Sequence, residues 1–137
     1  MITYAPKKLI LIDQAETALF DLQMELYFRL RRLPGLEVEF IVCDITNNRR
    51  ITQLFHQHQP NIVFHAAAYK HVPLMELNPL EAIHVNVFGS KNLIDLAVQN
   101  QVEKFIMIST DKAVNPTNVM GASKELLKFM FRKNRRI

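Results

Sequence analysis

Asn61-Ile62-Val63-Phe64-His65-Ala66-Ala67-Ala68 decides the fold: a short β-branched and aromatic run passes directly into three small residues. Three other stretches have the same form. Lys8-Leu9-Ile10-Leu11-Ile12 ends at Asp13, and Glu37-Val38-Glu39-Phe40-Ile41-Val42 leads into Cys43-Asp44. Lys104-Phe105-Ile106-Met107-Ile108 leads into Ser109-Thr110-Asp111. Short apolar runs closed by a polar or small residue mark buried parallel strands whose carboxyl ends open onto a site.

Helical spacing fills the gaps. Ala15, Ala18, Leu19, Leu22, Leu26 and Leu30 recur on one face, and Pro34-Gly35 ends that segment. Ile51, Leu54 and Phe55 predict a short helix that starts at Thr46 or Asn47 and stops near Pro60. Leu80, Ile83, Val87, Ile94 and Val98 predict the face of a long one, with Pro79 in its first turn, where a missing N–H costs nothing. Ala122, Leu126, Phe129 and Met130 predict the last. Strands alternating with helices imply an α/β fold, a Rossmann-like parallel sheet flanked by helices, with right-handed crossovers. Ligands of such sheets bind beyond the carboxyl strand ends. Asp13, Asp44, Ala66–Ala68 and Ser109–Lys112 are therefore expected along one edge.

The 137 residues suit a single domain, 1–137, and 49% hydrophobic with 22% charged residues is an ordinary soluble mixture. No apolar run approaches the roughly 18 residues that span a bilayer. The opening Met1-Ile2-Thr3-Tyr4-Ala5-Pro6 lacks the basic start and apolar stretch of a signal peptide. Cys43 is the lone cysteine, which excludes an internal disulfide and a cysteine-built zinc site. A reducing, cytoplasmic setting is expected. His56 and His58 stand two apart, the wrong spacing for one helical face, so no metal site is expected. The three glycines, Gly35, Gly89 and Gly121, lie far apart, so neither common glycine-rich phosphate loop is present.

Charge is localised. Lys128, Arg132, Lys133, Arg135 and Arg136 account for five of the 17 bases and lie in the last ten residues, with no acid among them. Residues 1–127 keep 12 bases against 13 acids, a net of −1. The isoelectric point near 9.4 thus describes a tail. Such a tail can bind nucleic acid, but the solvated end of a helix, where cations suit the dipole, accounts for it and no nucleic-acid partner is expected.

Chemistry concentrates at Ser109-Thr110-Asp111-Lys112, where a hydroxyl, a carboxylate and an amine follow a strand. Twelve residues on, Lys124 stands in Met120-Gly121-Ala122-Ser123-Lys124. A carboxylate and an amine on a rigid strand end can serve as general acid and base; a capped turn with surface charges is the simpler alternative. His65 reads as a packed core histidine. Lys70 and His71 read either as substrate contacts or as loop charges. Asn86 inside an apolar helix needs buried partners and is expected to brace the loop near Thr110.

Phe64 to Glu76, Asn86-Val87-Phe88-Gly89-Ser90 and the run from Ser109 to Lys124 resemble the extended short-chain dehydrogenases that act on nucleotide sugars. Within that group the chain resembles the polysaccharide-biosynthesis 4,6-dehydratases acting on UDP-N-acetylglucosamine, from about Pro6 to Phe131. The resemblance implies oxidation at C4 by hydride transfer to NAD(P), with NAD preferred. Water is then eliminated across C5 and C6, and the hydride returns at C6. It implies catalytic roles for Thr110, Asp111, Lys112, Met120 and Lys124. Thr110 would bond the 4-hydroxyl, Asp111 protonate the departing C6 hydroxyl, and Lys112 remove the C5 proton. Lys124 would also hold the nicotinamide ribose. Asp13 would receive the adenosine ribose, Asp44 and Ile45 flank adenine, and Ala66, Ala67 and Ala68 pass under the cofactor. Lys70, His71 and Asn86 would face the substrate.

Two departures qualify the match. The superfamily's tyrosine is replaced by Met120, whose thioether cannot exchange the 4-hydroxyl proton. One branch of the dehydratases shares that methionine. The family's first strand and glycine-rich loop have no counterpart before Pro6, so the chain is expected to be a central fragment. NAD binding is then expected to be weak or lost, the isolated chain inactive, and its open sheet edges to pair in a homo-oligomer. Larger members carry upstream membrane segments, which would attach a parent to the inner membrane. Rival readings are a nucleotide-sugar epimerase, against which the Asp111-Lys112 pair argues, and a non-catalytic nucleotide-binding or regulatory module.

Overall fold

The computed structural model describes residues 6–33, 35–108 and 118–133. Four strands and the helices between them follow in chain order. They are β1 (Lys8–Asp13), α1 (Glu16–Leu30), β2 (Glu37–Val42), α2 (Asn48–His58), β3 (Ile62–His65), α3 (Val72–Leu77) and α4 (Pro79–Ile83). A π-helical turn (His84–Gly89), α5 (Ser90–Gln99), β4 (Lys104–Met107) and α6 (Val119–Lys133) complete it. The chain divides into two compact units, Met1–Asp44 and Ile45–Ile137.

The first unit is a β-α-β turn of the fold. β1 and β2 pair in parallel from Lys8 opposite Glu37 to Asp13 opposite Val42. The Cys43 N–H continues the ladder to the Asp13 carbonyl at 2.9 Å. Lys8 Nζ lies 2.7 Å from Glu37 and 2.5 Å from Glu39, which project from the same strand face two residues apart. α1 buries Leu19, half-buries Leu22, Leu26 and Leu30, and leaves Ala15 and Ala18 exposed. It stops at Leu30, before the turn in which Gly35 takes φ of 94°.

The second unit repeats the parallel pairing. β3 and β4 run from Ile62 opposite Lys104 to His65 opposite Met107, and the Ile108 N–H extends the ladder to the His65 carbonyl. The strands thus form two parallel two-stranded sheets, whereas the sequence alone suggested one. α2 starts as expected. The Asn47 side chain accepts from the Arg50 N–H at 3.0 Å, and Gln59 closes the helix in the left-handed conformation before Pro60.

The long helical stretch departs from the expected face. Leu80, Ile83 and Val98 are exposed, and the buried positions include Ala82, Val85, Asn86, Val87, Ser90, Leu93, Ile94 and Ala97. A π-helical turn follows Ile83, and its wider spacing breaks the phase between Leu80 and Ile83 before it and the buried Val87 and Ile94 within and after it, so one continuous 3.6-residue period does not describe the stretch. α3, too short to show a period, packs Met75 with Ala82 of α4 and Met120 of α6 in a core that Tyr69, Val72 and Val119 flank. No described helix is long and apolar enough to cross a membrane.

Candidate functional site

Asp13 and Asp44 belong to the first unit. Asp13 ends β1 and Asp44 follows β2, so both stand at the carboxyl edge of their ladder. The Asp13 carboxylate accepts the Ala15 N–H at 2.8 Å, an Asx turn that steers the chain into α1.

All other described site residues lie in the second unit. Ala66 and Ala67 are exposed and Ala68 half-buried beyond the carboxyl end of β3. Ala67, Ala68, His65, Met107, Ile108 and Lys124 line a small cavity at that edge, joined by Leu127. Lys124 is only 8% exposed. Burial lowers the pKa of its ammonium, and the like charges of Lys128 and Lys70 lower it further. Among the described residues no carboxylate pairs with it. Lys70 and His71 are exposed on the loop between β3 and α3.

The start of α6, which carries Lys124, is held by three side chains. The Asn118 amide oxygen accepts the Gly121 N–H at 2.8 Å. Glu76 accepts the Val119 N–H at 2.7 Å, placing a carboxylate at the positive end of the helix. Asn86 donates to the Ser123 hydroxyl at 3.0 Å. Sequence reasoning missed Glu76 and Ser123 as supports. Asn118 was findable as a cap three residues before Gly121. Glu76, 43 positions from Val119, gave no spacing signal.

Met120 is 1% exposed and fills the core beside Met75 and Ala82. Its place is that of a packing residue at the helix start. Asn86 is fully enclosed, and its amide braces the loop after β3 as well as α6. His65 bonds Ser90 through Nε2 at 2.6 Å, and its ring lies tilted against Phe105. Burial, then the charge of Lys124, lowers its pKa to about 4, so the ring is neutral at pH 7. Gly89 lets the π-helical turn approach Ile45, since a Cβ there would lie 2.8 Å from Ile45 Cγ1. Asn92 donates to the Ile45 carbonyl at 3.4 Å. Thr110, Asp111 and Lys112 lie outside the described residues, as do Pro34 and the tail from Asn134.

Parallel strands, helical crossovers and a buried lysine beside a strand end define a Rossmann-like α/β domain. Comparison with known proteins makes this particular. The pattern of the polysaccharide biosynthesis protein family matches residues 1–137, and the chain belongs to that family. It is 45% identical over 125 residues to the capsular polysaccharide biosynthesis protein CapD of Staphylococcus aureus, covering 90% of this chain and 20% of CapD. It is 44% identical over 95 residues to a UDP-glucose 4-epimerase of Rickettsia canadensis, covering 69% of this chain and 27% of that enzyme. The chain therefore spans between a fifth and about a quarter of these relatives.

Among solved structures, Pen of Bacillus thuringiensis matches with a TM-score of 0.80 and 31% identity, over 94% of this chain and 39% of Pen. The UDP-glucose 4-epimerase of Thermus thermophilus in complex with NAD shares the fold at a TM-score of 0.67 and 18% identity, over 92% of this chain and 50% of that one.

Proposed function

We propose that this chain is the central part of a nucleotide-sugar 4,6-dehydratase acting on UDP-N-acetylglucosamine with NAD, in the cytoplasm. The observation that carries the reading is Lys124, buried at the carboxyl edge of β3 on a helix whose start is held by Asn118, Glu76 and Asn86. A lysine so placed suits the ribose of a nicotinamide cofactor lying over the small Ala66–Ala68 floor. Bound NAD would supply the hydride acceptor. Asp13 and Asp44-Ile45 would hold its adenosine end.

Thr110, Asp111 and Lys112 carry the distinction between elimination and epimerisation. Loss of a C6 hydroxyl needs an acid, here Asp111, and a base for C5, here Lys112. Met120 contributes packing, so the 4-hydroxyl proton passes to Thr110, Lys124 or water. Lys70 and His71, exposed on the neighbouring loop, are the substrate contacts. A second copy pairing through open strand edges is the expected assembly.

The epimerase is the second reading, favoured by the 44% identity to the Rickettsia enzyme. Mass spectrometry separates the two. UDP-N-acetylglucosamine and NAD are incubated with CapD in which the matching segment is replaced by this chain, and with the 137-residue chain alone. The chimera is expected to give a product lighter by one water, and the isolated chain none. A product of unchanged mass and altered C4 configuration overturns the dehydratase in favour of the epimerase.

A further inference from the structure

The π-helical turn has an inner and an outer side. Val85, Asn86, Val87 and Gly89 are buried, whereas His84 and Phe88 are exposed, Phe88 over 59% of its surface. π-helical turns recur at functional sites, and the bonds of Asn86 account for the inner side alone. On the outer side His84 and Phe88 line a groove of about 270 Å³ with Lys91, Asn92 and Asp95 of α5 and Asn48 of α2. The five residues from the helical stretch follow one another at intervals of three or four, so they share a face. The groove has no lining residue in common with the cavity at Lys124.

The chemistry of that lining narrows the ligand. Lys91 pairs with Asp95 one turn on, and no arginine lines the groove, so a phosphate finds no unmatched lysine or arginine. A wholly apolar ligand would strip water from the polar groups and return nothing. The Asn48 and His84 side chains bond no other described residue. Asn92 donates to the Ile45 carbonyl at 3.4 Å, the outer limit of a hydrogen bond. Asp95 holds Lys91 through Oδ2, and Oδ1 can accept from a ligand. What fits is a molecule with one apolar face and an edge of groups that both donate and accept. The C–H face of a pyranose ring meets the negative π-face of Phe88, and its hydroxyls meet amides, an imidazole and a carboxylate. The volume falls a little below the roughly 300–1,000 Å³ of sites for drug-sized ligands, which suits one ring better than a nucleotide.

We propose that this groove binds a neutral pyranose sugar, free or as one residue of a glycan. Phe88 is the platform, and Asn48, His84, Asn92 and Asp95 take the hydroxyls. The site does not depend on the reading of Lys124 as a cofactor residue.

The test is a ¹H–¹⁵N NMR titration of the 137-residue chain with N-acetylglucosamine, with its β-1,4-linked trimer and with UDP. The Asn48 and Asn92 side-chain amides and the backbone amides from Phe88 to Asn92 are the reporters. N-acetylglucosamine is expected to move them saturably, with a millimolar Kd. Tighter binding of the trimer identifies a glycan residue as the ligand, and equal affinity identifies the single sugar. UDP should leave the reporters unmoved. Phe88→Ala is expected to weaken sugar binding about tenfold and Asn48→Ala about threefold. Both residues are exposed, so neither variant takes a side chain from the core. Should Phe88→Ala not fold, Asn48→Ala decides, and unchanged affinity there overturns the proposal. Reporters that stay still with either sugar, or that move with undiminished affinity in Phe88→Ala, overturn it as well. So does movement with UDP alone, which makes the groove a nucleotide site. Movement on raising the chain concentration without sugar makes it a contact between copies and overturns it equally.

Discussion

The two units solve the problem of polar groups in opposite ways. In Met1–Asp44 the interactions that mark the ladder are at the surface: Lys8 reaches Glu37 and Glu39 in water, and Leu19 and Cys43 are the buried residues among those described. In Ile45–Ile137 the polar groups are inside. His65, Asn86, Ser90, Ser123 and Lys124 are all buried, and the first four hydrogen-bond one another or the backbone. A surface charge exchanges water for a partner at little gain, whereas a buried polar group must be paired or it destabilises the fold. The second unit is therefore the one in which positions are specified, and it is where a site can be held rigid. Perturbing the two units should give effects of very different size.

The largest effect is expected from acid. The folded His65 ring takes a proton near pH 4 and the unfolded ring near 6.5. Between those values the unfolded chain binds more protons, so stability is present above 6.5 and lost as pH falls. The loss reaches about 3 kcal/mol by pH 4. Urea midpoints at pH 7, 5.5 and 4.5 check this, and His65→Gln should flatten the profile. Equal slopes in the two chains would show that the interior ring is not the source.

Gly89→Ala comes next. Its φ of −60° is helical, so alanine would gain about 1 kcal/mol of propensity. Against that, the new Cβ would lie 2.8 and 2.9 Å from two carbons of buried Ile45 and 3.2 Å from Thr46 Cγ2. Overpacking of this kind costs about 1–3 kcal/mol, so a net loss of about 1 kcal/mol is expected in a urea titration. Ile45→Val in the same chain should recover part of it, because the Cδ1 contact disappears.

These two sites also show where sequence was legible. The strands were readable because each apolar run is closed by a polar or small residue, and β1 to β4 lie within those runs. α2 was readable from Asn47, Pro60 and its three buried residues. The face of the stretch from Pro79 to Gln99 was readable at Val87 and Ile94 but not at Leu80, Ile83 and Val98, because nothing in His84-Val85-Asn86-Val87-Phe88-Gly89 announces a wider turn. At the site, the resemblance pointed to Lys124, and the need of a buried amide for partners pointed to a bracing Asn86. Its partners, Tyr69 and Ser123, come from 17 and 37 positions away and follow from packing, not from local pattern.

Lys124→Met sharpens the comparison in the opposite direction. It removes a buried cation that no carboxylate pairs with among the described residues, and a thioether of similar length packs in its place. The variant should be more stable by about 1 kcal/mol at pH 7 while losing any cofactor-site role. The folded ammonium has a lowered pKa, so the cost of the lysine is complete below that value. It fades as pH rises toward 10.5, where the unfolded chain also releases its proton. Stabilisation that persists unchanged at high pH would point to packing rather than charge.

Lys8→Ala should give the smallest change, and the reason is geometric as much as electrostatic. Its ammonium bridges two carboxylates on one strand face, which raises its pKa through the Glu37 and then the Glu39 hydrogen bond. That contribution is present below the unfolded value of 10.5 and lost as pH rises through the folded one. The groups are in water, and the Glu37 side chain is 62% exposed, so salt screens them. The urea midpoint should move less than in any variant above, and the difference should vanish at about 1 M salt, where charges a few ångströms apart are already screened. A loss comparable to that of Gly89→Ala and insensitive to salt would mean that the β1–β2 ladder depends on its charges. The contrast between a surface held loosely and an interior held by pairing would then fail.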